Sequence, residues 1–194
     1  MELTLIPLWS HQGIIPPIDE SDPTSPTRSP YSTDVRQVVD RYSTTIERCD
    51  VLEGFLAHRA EVHRMGITSG FQWLDGSFME DVEMLLGRPP NDMDVVMFAD
   101  IPLAIEQSLQ PLDVKILTNN HWIKANYKVD FYLVELSVNP ETLIELSTYW
   151  YSMWSHRRTL QWKGFLSVRL DPGFDQEAST LLGIRRQELQ NEQN

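Results

Sequence analysis

Two aspartates one residue apart, Asp92 and Asp94, open the apolar run "DMDVVMFAD", and a Gly-Ser pair, Gly76 and Ser77, closes the run before it. Residues two apart in a strand project to the same face, so this spacing puts both carboxylates side by side at the head of a strand. A third acid, Asp130, stands between Val129 and Phe131 in "KVDFYLVEL", a stretch rich in strand-forming residues. An ionised acid in a half-buried strand is costly when left unpaired, and a divalent cation removes that cost. Three carboxylates on adjacent strands offer the hard oxygen ligands that Mg²⁺ or Mn²⁺ takes. Two such ions, roughly 3.5–4 Å apart, clamp the attacking and leaving oxygens of an in-line phosphoryl displacement. Gly76 and Ser77 supply a complementary element. A strand that breaks at Gly-Ser and enters a helix presents backbone N–H groups to an anion, and glycine lets a phosphate come close. The plainer alternative is a loop carrying solvated acids.

A second stretch with chemical potential is "YWYSMWSHRRTLQWKGF", residues 149–165. It sets Trp150, Trp154 and Trp162 among His156, Arg157, Arg158 and Lys163, and aromatics interleaved with cations suit base stacking and phosphate contact. Trp150 and Trp154 lie four apart, the spacing of one helix face, which points to core. Arg157 and Lys163 are candidate nucleotide-binding cations, because a basic cluster in an acidic chain must face something negative. His156 could cap, donate to phosphate or act as a base. His58 and His63 are five apart, off the three- or four-residue spacing of a helical zinc pair. No Gly-x-Ser-x-Gly elbow accompanies Ser77.

The elements that must position these residues follow from periodicity. Residues 1–33 are rich in Pro, Ser, Thr and Asp and predict an extended arm, anchored by Leu5, Ile6, Leu8, Trp9, Ile14 and Ile15, before a single domain over 34–194. For residues 20–28 a disordered segment is the alternative. Val35, Val38 and Val39 recur at helical spacing. Thr44 with Glu47 predicts a capping box that opens a long helix to Arg64, with Cys49, Leu52, Phe55, Leu56 and Val62 as its buried stripe and Gly66 as its stop. Strands are predicted over 70–75, from Asp92 to Phe98, over 127–136 and over 164–170, with "DVKIL" (113–117) as an edge strand. Short helices are predicted from Phe78 to Gly87 and after Pro102, an ambiguous one over "NHWIKAN", and longer ones from Asn139–Pro140 and over 176–190. The expected fold is α/β: a mixed, twisted sheet with helices mainly on one face.

The bulk properties narrow the function classes. The chain has 194 residues, a 41% apolar and 23% charged composition and a net charge of −12, those of an ordinary globular domain. So acidic a chain is not expected to bind duplex DNA avidly through phosphate contacts, although a nucleotide held through divalent cations remains compatible. No apolar run reaches membrane-spanning length, and the start lacks a basic leader, so a cytoplasmic, not membrane-embedded, protein is expected. A single cysteine, Cys49, excludes an internal disulfide and reads as a core residue.

"DGSF", "NDMDVVMF" and "KVDFYLV" together resemble the polymerase-β-like nucleotidyltransferase superfamily. "RSPYSTDV", "FQWLDGSF", "RPPNDMDVV" and "WSHRRTLQWKGFLSVRL" resemble a small bacterial branch of it, over about Gly13 to Leu170. The resemblance implies Gly76 and Ser77 as the phosphate-binding pair, Asp92 and Asp94 as the metal-binding dyad and Asp130 as the third carboxylate. It implies a two-metal enzyme that moves a nucleoside monophosphate from a nucleoside triphosphate to a hydroxyl on a protein, a nucleic-acid end or a nucleotide. It also implies a setting in phage defence or a toxin–antitoxin pair, with a protein partner encoded nearby. A catalytically inactive, nucleotidyltransferase-like antitoxin or regulator of a partner is the alternative.

Overall fold

The structure, a computed structural model, describes residues 5–192. In chain order its elements are β1 (Tyr31–Thr33), α1 (Val35–Tyr42), α2 (Ile46–Arg64), β2 (Gly70–Asp75), α3 (Val82–Leu86), β3 (Met93–Ala99), α4 (Leu103–Glu106), α5 (Pro111–Thr118), α6 (Asn120–Tyr127), β4 (Val129–Glu135), α7 (Pro140–Trp154), β5 (Leu166–Arg169) and α8 (Asp175–Glu192). The five strands form one sheet in the order β1-β5-β2-β3-β4. It is mixed: β2 runs antiparallel to β3 and β5, while β3–β4 and β1–β5 are parallel. The α/β class and mixed sheet are those expected from the sequence.

Strand alternation divides the core. Leu74, Val95, Met97, Phe131 and Val168 face one side, where they pack with the buried residues of α1, α2, α5, α6 and α8. Val96, Phe98, Val134 and Phe165 face the other, packed with Phe71, Trp73 and the Leu143, Leu146, Trp150 and Trp154 stripe of α7. Five helices thus back one face and α7 covers part of the second.

The α2 stripe is wider than its hydrophobic residues. Cys49, Leu52, Phe55, Leu56 and Val62 are buried, and so are Arg48, His58 and Arg59. Arg48 donates to the carbonyls of Phe78 (2.7 Å) and Glu80 (2.6 Å) and to both carboxylate oxygens of Glu83 (2.6 and 2.8 Å). Arg59 binds Gln72 of β2 (2.5 Å), the carbonyl of Arg169 (3.3 Å) and Asp175 at the start of α8 (2.8 and 2.9 Å). The acceptors around these two guanidiniums offset the cost of burying them.

Several local expectations are corrected. The segment 113–117 is not an edge strand but the body of α5: Pro111 stands in its first turn and the Asp113 carboxylate accepts the Gln110 N–H (2.9 Å). This capping satisfies the helix start, and the adjacent Ile116 and Leu117 are buried together on its inner side. The cap of α2 is Thr45, which accepts from Arg48 N–H, rather than Thr44. After Ser77 comes a single 3₁₀ turn, Ser77–Met79, before α3, rather than one helix from Phe78. Tyr127 closes α6 instead of starting β4. Tyr31–Thr33, read as part of the arm, pairs in parallel with β5. Of the expected anchors, Ile6, Ile14 and Ile15 are buried, whereas Leu5 and Leu8 lie exposed.

One close approach sets the position of α6, the helix that feeds β4. A Cβ at Gly54 of α2 would stand 1.9 Å from the Tyr127 carbonyl oxygen. Gly54→Ala should therefore lower stability by about 1–3 kcal/mol despite alanine's better helix propensity, since backbone cannot move aside as a flexible side chain can. Urea denaturation of the variant against the parent checks this.

Candidate functional site

The site forms where β2 ends and β3 and β4 begin. Asp75 is paired in register with Asp94, and Asp94 with Asp130. Three adjacent strands thus each place a carboxylate at the same level, and the pleat puts all three on the face that also carries Trp73, Val96 and Val134. Asp92 precedes β3 by one residue and joins the group through a shared cation. Lys124, on the last turn of α6, places its Nζ 2.5 Å from Asp92 and 2.8 Å from Asp130. Asn120, one turn earlier, donates to the other Asp130 oxygen at 2.7 Å.

Gly76 brings the Gly-Ser pair into the same place. Its φ of +87° belongs to glycine, and an added Cβ would come within 2.7 Å of an Asp94 carboxylate oxygen. The Asp94 carboxylate therefore lies directly against the turn that leads into Ser77. The Ser77 N–H and hydroxyl have no hydrogen-bond partner among the described residues, so both remain available to a ligand. Arg48, reaching from α2 to the Phe78 and Glu80 carbonyls, holds the chain just beyond.

The candidate cations sit differently from what base stacking or phosphate contact requires. Lys163 is buried and forms an ion pair with Asp75, with Glu80 3.7 Å away. Arg157 binds Glu80 at 2.8 Å and Gln161 at 2.9 Å. The negative groups that these cations face are the protein's own. Lys163 reaches the acid row through Asp75, and Arg157 stands one step further out through Glu80. His156 bonds through Nδ1 to the Arg157 carbonyl (2.9 Å). Trp154 is core and Trp150 packs beside it, while Trp162 is half exposed. His58 accepts a place in the core, its Nε2 3.1 Å from the Ile116 carbonyl, with burial lowering its pKa to about 4. His63 turns to the Leu170 carbonyl at 2.7 Å, so the two histidines share no ligand.

The electrostatics follow from this packing. Burial, reinforced by Asp75, Asp130 and Asp92, raises the Asp94 pKa to about 7. Burial raises that of Asp75 to about 6 against the opposing pull of Lys163. Asp130 goes the other way: burial pushes it up, but the hydrogen bonds from Lys124 and Asn120 outweigh that and hold it below the usual carboxylate range.

The donors suit a hard divalent cation in kind, being carboxylate oxygens of Asp92, Asp94 and Asp130 around a turn with no Cβ. Among the described residues no three acidic, histidine or cysteine side chains are grouped as a metal ion would need them, and the Lys124 ammonium stands between Asp92 and Asp130. Two grooves are lined by other residues: one of about 580 Å³ beside Phe71, Trp73 and Arg169, the other of about 590 Å³ beside Ile14, Tyr31 and Trp162. Sequence reading missed Asp75, Asn120 and Lys124. Asp75 had a legible signal: it ends its strand on the same parity as Phe71 and Trp73, immediately before Gly76. The roles of Lys124 and Asn120 depend on how α6 turns into β4.

A raised carboxylate pKa means that the folded chain holds the proton more tightly than the unfolded one, so its contribution to stability falls as pH climbs from about 4 to about 7. In chelator-containing buffer Asp94→Asn should be more stable than the parent at pH 8 by roughly 2–4 kcal/mol. The gap should narrow on acidification and close near pH 4. Thermal or urea unfolding across this range checks it, and a gap independent of pH would contradict the assignment.

A family described as of unknown function, DUF6932, matches residues 7–169. No curated protein and no solved structure matches the chain. Among the described residues no helix is long and apolar enough to cross a membrane. With most of its length matched, the chain belongs to the DUF6932 family.

Proposed function

We propose that this protein is a divalent-metal-dependent nucleotidyltransferase with a polymerase-β-like core, moving a nucleoside monophosphate from a nucleoside triphosphate to a hydroxyl acceptor. The observation that carries the reading is the in-register placement of Asp94 and Asp130 on one sheet face, with Asp92 tied to Asp130 through Lys124 and the Gly76–Ser77 turn against Asp94. In this reading Asp92, Asp94 and Asp130 hold Mg²⁺ or Mn²⁺. Bound there, the ions would neutralise the triphosphate and lower the pKa of the acceptor hydroxyl.

The chain's own groups do the rest. Gly76 admits a phosphate close to the backbone, and the Ser77 N–H and hydroxyl donate to its oxygens. Asp130, kept ionised by its hydrogen bonds, serves as a permanent anionic ligand. Asp94, its pKa raised by burial and then by like charge, would release its proton to solvent as a cation approached. Lys163 and Arg157 act as braces: Lys163 fixes Asp75 at the edge of the acid row, and Arg157 fixes Glu80 beneath it.

One observation favours a second reading, a nucleotidyltransferase-like protein that regulates a partner without turnover. Lys124 already neutralises Asp92 and Asp130, as it would in a site that had given up metal.

Incubation with each labelled nucleoside triphosphate and Mg²⁺ or Mn²⁺, followed by separation of protein, nucleic acid and small molecules, tests the enzyme reading. Label should move to an acceptor, and Asp94→Ala or Asp130→Ala should reduce transfer at least about a hundredfold, as loss of a metal-holding group does. Circular dichroism should show both variants folded. Full biological function in Asp94→Ala cells would instead favour the regulator.

A further inference from the structure

We propose that Lys124 is a tethered counter-cation: its ammonium keeps the place of a divalent ion between Asp92 and Asp130 and is displaced when the ion enters. The inference rests on the metal-dependent reading above and adds how access to that site is controlled.

Two lysines neutralise the acid row, and they differ in freedom. Lys163 is 4% exposed, paired with Asp75 and flanked by Glu80, so it cannot leave without opening the core. The Lys124 side chain is 45% exposed and contacts the row from the solvent side, at the last turn of α6. Its stem has four rotatable carbons and its head is well hydrated in water, so swinging outward costs little burial.

The backbone beneath it is fixed. Lys128, left-handed at φ +55°, turns α6 directly into β4, and Gly54 seats the end of α6 against α2. Movement is therefore confined to the side chain.

The acids do not need Lys124 to remain in place. Asn120 still holds one oxygen of Asp130, and Asp94 is set by strand pairing and by Gly76. With Lys124 swung out, Asp92, Asp94 and Asp130 face a gap that only a concentrated positive charge relieves. A divalent ion supplies more charge in that volume than an ammonium, whereas a monovalent ion offers no gain over the tethered lysine. The device thus neutralises the metal-free acids and sets a threshold that favours divalent over monovalent cations.

The test uses the full chain with metal alone. Mn²⁺ binding is followed by electron paramagnetic resonance for the parent, Lys124→Gln and Asp94→Asn. In parallel, amine labelling read by mass spectrometry reports Lys124 in the parent with and without Mg²⁺, with Lys128 as internal control. Lys124→Gln should bind Mn²⁺ about tenfold or more tighter than the parent, the scale on which groups around a metal site tune affinity. Mg²⁺ should raise labelling of Lys124 and leave Lys128 unchanged. Binding in Lys124→Gln alone would mean a lysine that bars the ion instead of yielding to it, and would overturn the displacement. Equal affinities, or unchanged Lys124 labelling while the parent binds Mn²⁺ and Asp94→Asn does not, would overturn the tethered-cation role and leave the metal site standing. Absence of Mn²⁺ binding in both the parent and Lys124→Gln would overturn the proposal together with the metal-dependent reading.

Discussion

Like charge held in partial burial is the constraint around which this structure is arranged. Asp75, Asp94 and Asp130 occupy one level of three adjacent strands, and a sheet spaces such neighbours about 5 Å apart. Three ionised carboxylates at that separation, out of full contact with water, repel strongly. The chain answers with a buried lysine at one end, Lys163, and a half-exposed lysine with an asparagine at the other, Lys124 and Asn120. Asp94, in the middle, has no side-chain hydrogen-bond or ion-pair partner among the described residues, and burial with its acidic neighbours raises its pKa to about 7.

The rest of the fold can be read as the support of that row. α2 carries two buried arginines about three turns apart, and each ties the helix to a different part of the site's frame. Arg48 fixes the chain that leaves Gly76 and Ser77, while Arg59 joins the middle of β2 to the end of β5 and the start of α8. Truncating either would leave carbonyl and carboxylate acceptors buried without a donor, which is more damaging than losing the attraction itself. On the opposite face α7 packs a tryptophan and leucine stripe with Val96, Phe98 and Val134. The Asp92 and Asp130 side chains stay 19% and 23% exposed, so the row keeps a route to solvent.

Much of the architecture was legible because its signals were local. The alternation of β2, β3 and β4, the stripe of α2 and the Asn139–Pro140 start of α7 each lie within one element and obey one period. The misreading of 113–117 has an equally local cause. "DVKIL" alternates well enough for a strand, and the competing signal, Pro111 followed by the capping Asp113, lies at its start. Arg48 and Arg59 continue the spacing of Leu52, Phe55 and Val62, so their burial was hinted at by position while their charge argued against it.

The strand parity that puts Asp92 and Asp94 on one side, the glycine needed before Ser77 and the acidic balance of the chain all follow from residue order and stereochemistry. They identified which acids to watch. Which groups surround those acids is a matter of how elements distant in sequence meet. Asp75 becomes part of the row only through antiparallel pairing with β3, and Lys163 reaches it from 88 positions away. Lys124 falls between Asp92 and Asp130 because α6, seated on Gly54, turns at Lys128 into a strand parallel to β3. Charge acts through space at a few ångströms, and periodicity along a chain carries no information about that separation until the chain has folded.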